Sequence, residues 1–235
     1  MFSMTILRVK FPTCWPGWNI REFTLTSVVA PEHPKGESPS ITVNVDPNTT
    51  CDYYSDSPVF RASLIDPSNP KSKCISVALK FAMREDFISD LAEELNVYNG
   101  ALEPLQGSTI PRCYGLYAGS GEEGQTIACL VLEYWGECLR RPFNQQPLHK
   151  RVRILERLGE IHRRGLLHGD FAERNVLELN GDIRIIDFDQ TTYHKCNCKM
   201  NFRPSGKVPS VEEFGCEQLW EIGRYMKLWT PNPAN

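Results

Sequence analysis

No stretch of this sequence is apolar for long enough to cross a bilayer. The longest uninterrupted run, Ile127 to Leu132, falls far short of the roughly 20 residues that a spanning helix needs. Nor is there an excess of charge of one sign. Lys and Arg number 26 against 29 Asp and Glu, a net charge of -3, so there is no global basic field to hold a polyanion, and nucleic-acid binding is excluded as the main role. The first residues lack the unbroken apolar core of a secretory signal, because Arg8, Lys10 and Pro12 interrupt it, and a cytoplasmic address is expected. Nine cysteines form no disulfide framework on this reading: the count is odd and the compartment reducing, so free thiols are expected. The sequon at Asn48, Thr49 and Thr50 would then stay unused. There is no internal repeat and no low-complexity tract. With 41% hydrophobic residues in 235, the chain has material for a compact core or two, and a monomer without a membrane partner is expected.

The pattern changes along the chain. Residues 30 to 58 are rich in proline and small polar residues, the composition of an irregular insertion. Val59 to Leu64 and Ile75 to Phe81 are β-rich runs around a polar, proline-bearing stretch, which predicts a hairpin with an extended tip. From near Asp86, Phe87, Leu91, Leu95 and Tyr98 recur every three or four residues, one apolar stripe of a helix that Asn99-Gly100 would end. Tyr114 to Tyr117 and Thr126 to Tyr134 bracket the turn Ser120 to Gly124 and read as two antiparallel strands. After Trp135-Gly136, Leu148, Val152, Leu155, Leu158 and His162 mark a helix stopped by Gly165, and Leu219, Ile222, Met226 and Trp229 mark another. The expected division is 1–134, a small sheet with one helix, and 135–235, mainly helical.

The densest chemical signal is His168-Gly169-Asp170-Phe171-Ala172-Glu173-Arg174-Asn175-Val176, followed by Ile185-Ile186-Asp187-Phe188-Asp189. The two segments resemble the catalytic loop and metal-binding turn of the protein kinase-like superfamily, and the phosphoryl transfer this resemblance implies needs a carboxylate to orient or accept the nucleophile's proton and an oxygen ligand close by for Mg²⁺, which Asp170 and Asn175 would supply on one loop. A second carboxylate must reach the same ion. The hairpin Val176 to Leu179 and Ile183 to Ile186, turning at Asn180-Gly181, would deliver Asp187 to it.

In that superfamily the catalytic loop reads H-R-D-x-x-x-x-N and the metal-binding turn D-F-G. Upstream, Val77-Ala78-Leu79-Lys80 resembles the kinase V-A-I-K strand, which implies that Lys80 neutralises the α and β phosphates of ATP and pairs with a glutamate on the next helix. Glu94, on the margin of the helix stripe, is chosen over Glu93. Leu130 to Trp135 resembles the strand running into the adenine-binding hinge, which implies cofactor contacts at Glu133 and Trp135. Arg174 is similar to the cation of the tyrosine-kinase loop D-L-A-A-R-N and would neutralise transition-state charge. The whole set, with His194 and Cys196 as H-x-C, is similar to divergent kinase-like proteins of mushroom-forming fungi.

The resemblance thus implies a two-lobed α+β fold: a small antiparallel sheet with one helix, then a reduced, mainly helical lobe. It implies a phosphotransferase using ATP and Mg²⁺, with Asp170, Lys80 and Arg174 catalytic, Lys80, Glu94, Glu133 and Trp135 binding nucleotide, and Asn175 and Asp187 binding metal. A protein hydroxyl is the first expected acceptor. Gly169 in place of the H-R-D arginine, and Asp189 in place of the D-F-G glycine, are shared with small-molecule kinases of the aminoglycoside and choline phosphotransferase kind, so a small hydroxyl acceptor is the alternative. No glycine lies in Asp52 to Pro58, and Cys196 to Ser210 has turn composition with no A-P-E; both motivate a third reading, a nucleotide-binding pseudokinase or interaction module. His194, Cys196, Cys198 and Cys216 include zinc's preferred ligand types, but C-x-C after H-x-C is not the C-x₂₋₄-C spacing of a zinc site, and reduced, partly buried cysteines are expected. Lys150, Arg151, Arg153, Arg157, Arg163 and Arg164 read as the solvated face of their helix.

Overall fold

The structure, a computed structural model, describes residues 6–14, 19–28, 40–49, 57–65, 74–121, 124–199, 202, 204 and 206–229. Outside the described residues lie Thr50 of the sequon, 52–56 of the glycine-free stretch, the 66–73 hairpin tip, residues 122 and 123 of the expected turn, and 30–39 of the proline-rich segment. The chain forms two compact units, Met1–Asn96 with Arg112–Tyr134, and Val97–Pro111 with Trp135–Asn235. Residues 97–111, assigned by sequence to the first half, belong to the second unit.

The first unit is a closed seven-stranded barrel. Its strands are β1 (Ile6–Lys10), β2 (Glu22–Ser27), β3 (Ser40–Val45), β4 (Val59–Ile65), β5 (Ile75–Ala82), β6 (Cys113–Ser120) and β7 (Thr126–Glu133), with helix α1 (Glu85–Asn99) between β5 and β6. The ring order is β1-β2-β6-β7-β5-β4-β3, and it closes where β3 runs parallel to β1, Ile6 opposite Ser40 and Lys10 opposite Asn44. Alternation drives this arrangement, since in a strand every second side chain shares a face. Leu7 and Val9, Phe23 and Leu25, Val43 and Val45, Phe60 and Ala62, and Leu79 and Phe81 are all buried. Phe11, which follows β1, packs edge-on against Phe23 and Phe60 at 5.5 Å in each case, and Phe60 meets Phe81 at 5.7 Å. Each such side chain contributes roughly 1.5–3 kcal/mol by leaving water.

The second unit mixes strand and helix. Its strands are β8 (Glu137–Cys138), β9 (Leu166–Leu167), β10 (Val176–Leu179), β11 (Asp182–Ile185) and β12 (Thr192–Tyr193), and its helices are α2 (Leu148–Arg163), α3 (Val211–Phe214) and α4 (Glu217–Tyr225). The order β11-β10-β8 makes one small sheet and β12-β9 another. Ile154, Leu155, Leu158 and Ile161 of α2 are buried at helical spacing.

The expected two-lobed kinase-like fold is therefore corrected. Among the described residues strand accounts for 34% and there are four α-helices; the first sheet is a closed barrel, and the second unit is not mainly helical. The physical reason is the amino-terminal third. β1, β2 and β3 add three strands, β3 lies inside the segment read as an irregular insertion, and the parallel β1–β3 pairing removes both free edges of the sheet.

The basic face of α2 is solvated only in part: Arg153, Arg163 and Arg164 are exposed, whereas Lys150, Arg151 and Arg157 are half-buried. Lys150 bonds Glu178 at 2.6 Å, Arg157 bonds Asp182 at 3.0 Å, and Arg151 donates to the carbonyls of Met226 and Lys227 at 2.5 and 2.7 Å. Thr109 donates to Glu160, which Arg157 also approaches. Most of these cations are occupied within the second unit.

Candidate functional site

In the first unit, the same alternation that sends Leu79 and Phe81 into the barrel turns Lys80 to the other face of β5. There its ammonium donates to Glu94 Oε2 at 2.9 Å. Lys80 is 12% exposed and Glu94 fully buried, whereas Glu93 is exposed. Burying a carboxylate is costly unless it is paired, so the pair also fixes the rotation of α1. Burial, the largest cause, pushes the nearby Cys113 thiol up to about 12, with the Glu94 charge adding to it. At the end of β7, Glu133 donates its backbone N–H to Arg112 O at 2.8 Å, and its carboxylate accepts from Arg112 N at 3.0 Å. The backbone N–H and the carboxylate of Glu133 are thus both engaged by Arg112. Trp135, in the second unit, lies under the Arg184 guanidinium at 4.3 Å.

The 168–189 segment is knitted by short-range bonds. Asn175 Nδ2 donates to Asp170 O at 2.8 Å and to Asp170 Oδ2 at 3.1 Å, which leaves the amide oxygen of Asn175 free of these two bonds. Ile186 N donates to Asn175 O at 3.0 Å, and His168 Nε2 contacts Ile186 O at 2.9 Å. The residue before Asp187 is therefore tied to the loop from both sides. Asp187 itself has φ 72, a left-handed conformation that aspartate tolerates better than most residues. His168 is fully buried among Phe188 and Phe171, at 5.1 and 5.8 Å, and desolvation lowers its pKa, so the ring stays neutral and holds backbone rather than charge. Phe188 also meets Tyr98 edge-on at 5.5 Å.

Gly169 has φ 82, and a Cβ placed there would run into Gln190 O. The glycine that replaces the H-R-D arginine is thus required by backbone packing against the turn after Asp189. Arg174, the most exposed of these residues at 66%, places Nη2 2.6 Å from both oxygens of Asp170.

Asp170, Asn175 and Asp187 are brought together on one bonded segment, and Lys80 and Glu94 on one ion pair. For Mg²⁺ the donor set fits: a carboxylate on Asp187 and an amide oxygen on Asn175 are hard oxygen ligands of the type the ion prefers. Sequence reasoning missed one candidate metal ligand, His162. It gathers with His194, Cys196 and Cys216, their ligand atoms all within 4.8 Å of one another; Cys198 is not in the group. Burial, then His194, pushes His162 down to about 4, and burial pushes the Cys216 thiol up to about 11. The signal available in the sequence was a histidine on the apolar stripe of α2, where burial needs a polar partner. Compared with models of known protein families, the chain matches none.

Proposed function

We propose that the protein is an ATP- and Mg²⁺-dependent phosphotransferase that transfers the γ-phosphate to a protein hydroxyl. The observation that carries the reading is the bonding of Asn175 to Asp170, with the peptide before Asp187 tied to the same asparagine. An oriented carboxylate beside two hard oxygen ligands is what this reaction requires of a protein.

Asp170 accepts the hydroxyl proton as the oxygen forms its bond to phosphorus; the bond from phosphorus to the bridging oxygen breaks, and ADP leaves with that electron pair. Asn175 holds Asp170 in the orientation that receives the proton. Mg²⁺, when bound by Asn175 and Asp187, supplies neutralisation of the phosphate oxygens. Lys80, held by Glu94 within its own unit, is a fixed cation of the kind that neutralises phosphate. Arg174, exposed on its outer side, moves from Asp170 toward the transferring group.

The test is transfer of labelled γ-phosphate from ATP with Mg²⁺ to a generic protein acceptor and to the chain itself. Labelling by the parent and its loss in Asp170→Asn support the reading; no labelling by the parent refutes it.

One observation favours a second reading, nucleotide binding without transfer. Both oxygens of Asp170 are engaged by Arg174 at 2.6 Å, which places the guanidinium where the acceptor hydroxyl would have to approach. Saturable Mg²⁺-dependent ATP binding with no transfer, unchanged in Arg174→Ala, selects it.

A further inference from the structure

We propose that the second unit holds one structural zinc ion, ligated by His162, His194, Cys196 and Cys216.

Three separate elements deliver the four side chains. His162 lies in the last turn of α2, and Cys216 is the residue before the first turn of α4. His194-x-Cys196 leaves β12, which pairs with β9, and His194 N bonds Gly165 O at 2.8 Å, so this segment is held beside the end of α2. Gly215, with φ 83, lets the backbone before Cys216 approach Asn197 closely; a Cβ there would stand 2.5 Å from Asn197 O.

Two of the ligand-atom separations are those of a tetrahedral centre, and all lie within 4.8 Å. Zn–S bonds of about 2.3 Å and Zn–N bonds of about 2.0–2.1 Å place neighbouring ligand atoms roughly 3.3–3.8 Å apart. Cys216 Sγ lies 3.6 Å from His162 Nδ1 and 3.4 Å from His194 Nε2. The two imidazoles meet edge-on at 4.7 Å.

As a thiol, Cys216 carries one proton but faces two imidazole nitrogens and Gln218 Oε1 at 3.6 Å, so it can donate to only one of the three. His162 is 1% exposed, and its Nε2 has no hydrogen-bond partner among the described residues. Its polar contacts are thus confined to the cluster, an arrangement that costs about 1–3 kcal/mol without a strong bond to offset it. No carboxylate belongs to the group, which disfavours Mg²⁺ and Ca²⁺, whereas two nitrogens and two sulfurs suit zinc.

The charge balance suits a half-buried site. Zn²⁺ displaces the two thiol protons to solvent, forms two Zn–S bonds and accepts lone pairs from two neutral imidazoles, leaving a centre of no net charge. Four filled positions leave none open for a substrate, so the role is to pin the 194–198 segment and the start of α4 to α2.

The test is the metal content of the full chain, purified without chelator from zinc-supplemented cells. About one equivalent of zinc per chain is expected, with loss in Cys216→Ser and in His162→Gln and retention in Cys198→Ser. Because the first two variants can misfold, the parent is also stripped with chelator. Its thermal midpoint then falls by several degrees and returns with added Zn²⁺, and Co²⁺ added to the stripped, reduced protein gives the visible absorption of a tetrahedral thiolate site. Parent protein with far less than one equivalent, and no such cobalt spectrum, would overturn the assignment.

Discussion

Replacing Glu94 by Ala removes a fully buried carboxylate from an ammonium that is 12% exposed. Breaking a buried ion pair by deleting one partner costs about 3–5 kcal/mol, because the remaining charge loses its compensation. Lys80 keeps interactions besides the one with Glu94 and some access to water, which places the expected loss near the lower end, about 3 kcal/mol. The consequence is confined to the barrel unit, so a local probe is the right one: amide exchange in peptides covering β5. A loss of 3 kcal/mol in opening free energy speeds exchange by roughly 100-fold. The double variant Lys80→Met with Glu94→Leu carries no buried charge and is expected to recover most of the loss, since well-packed apolar pairs often equal or exceed the ion pair they replace. It should still fail to bind ATP with the parent's affinity. Exchange in Glu94→Ala within threefold of the parent would refute the reasoning, because it would mean that the pair is neither buried nor coupled as the geometry states.

Gly169→Ala forces a Cβ into Gln190 O at a backbone with φ 82; a loss of at least about 1–2 kcal/mol is expected, read by thermal unfolding, with phosphate transfer falling too. Asp187→Ala is expected to abolish Mg²⁺-dependent ATP binding while leaving circular dichroism unchanged; equal affinity in titration calorimetry would count against the metal role. The barrel should also lose stability in alkali. Burial raises the Cys113 thiol to about 12 from an ordinary 9.0 and raises that of Cys129 further, so the unfolded chain ionises first. Stability is full below pH 9 and drains as pH climbs toward the folded values, by up to about 1.4 kcal/mol per pH unit per thiol. Cys129→Ala should flatten that decline by one proton; an unchanged slope in urea titrations across this range would contradict it.

What could be read from the letters was what is local. The 168–189 segment is closed by bonds between near neighbours, such as Asn175 to Asp170 and Ile186 to Asn175, so its residues are legible as a spacing. The stripe of α1 and the β10–β11 hairpin are local in the same sense, and they lie where periodicity and Asn180-Gly181 put them. Barrel closure is not local. It depends on β3 running parallel to β1 and on Thr26 meeting Ala118 across β2 and β6, pairings that leave no mark in either strand's own pattern. β3 was hidden further because Ile41, Val43 and Val45 sit amid proline-rich, polar surroundings. His162 was absorbed into the apolar stripe of α2, and only the approach of Cys216 and His194 in space shows what its ring nitrogen faces. The occupied cations of α2 escaped for the same reason, since Asp182 and Glu178 come from the hairpin rather than from the helix.

The most direct test of the account is a side-by-side assay of parent and Asp170→Asn for transfer of labelled γ-phosphate from ATP with Mg²⁺, with folding checked by circular dichroism. The account predicts labelling by the parent and a drop of about 10²- to 10⁴-fold in the variant. Equal labelling by both would contradict it.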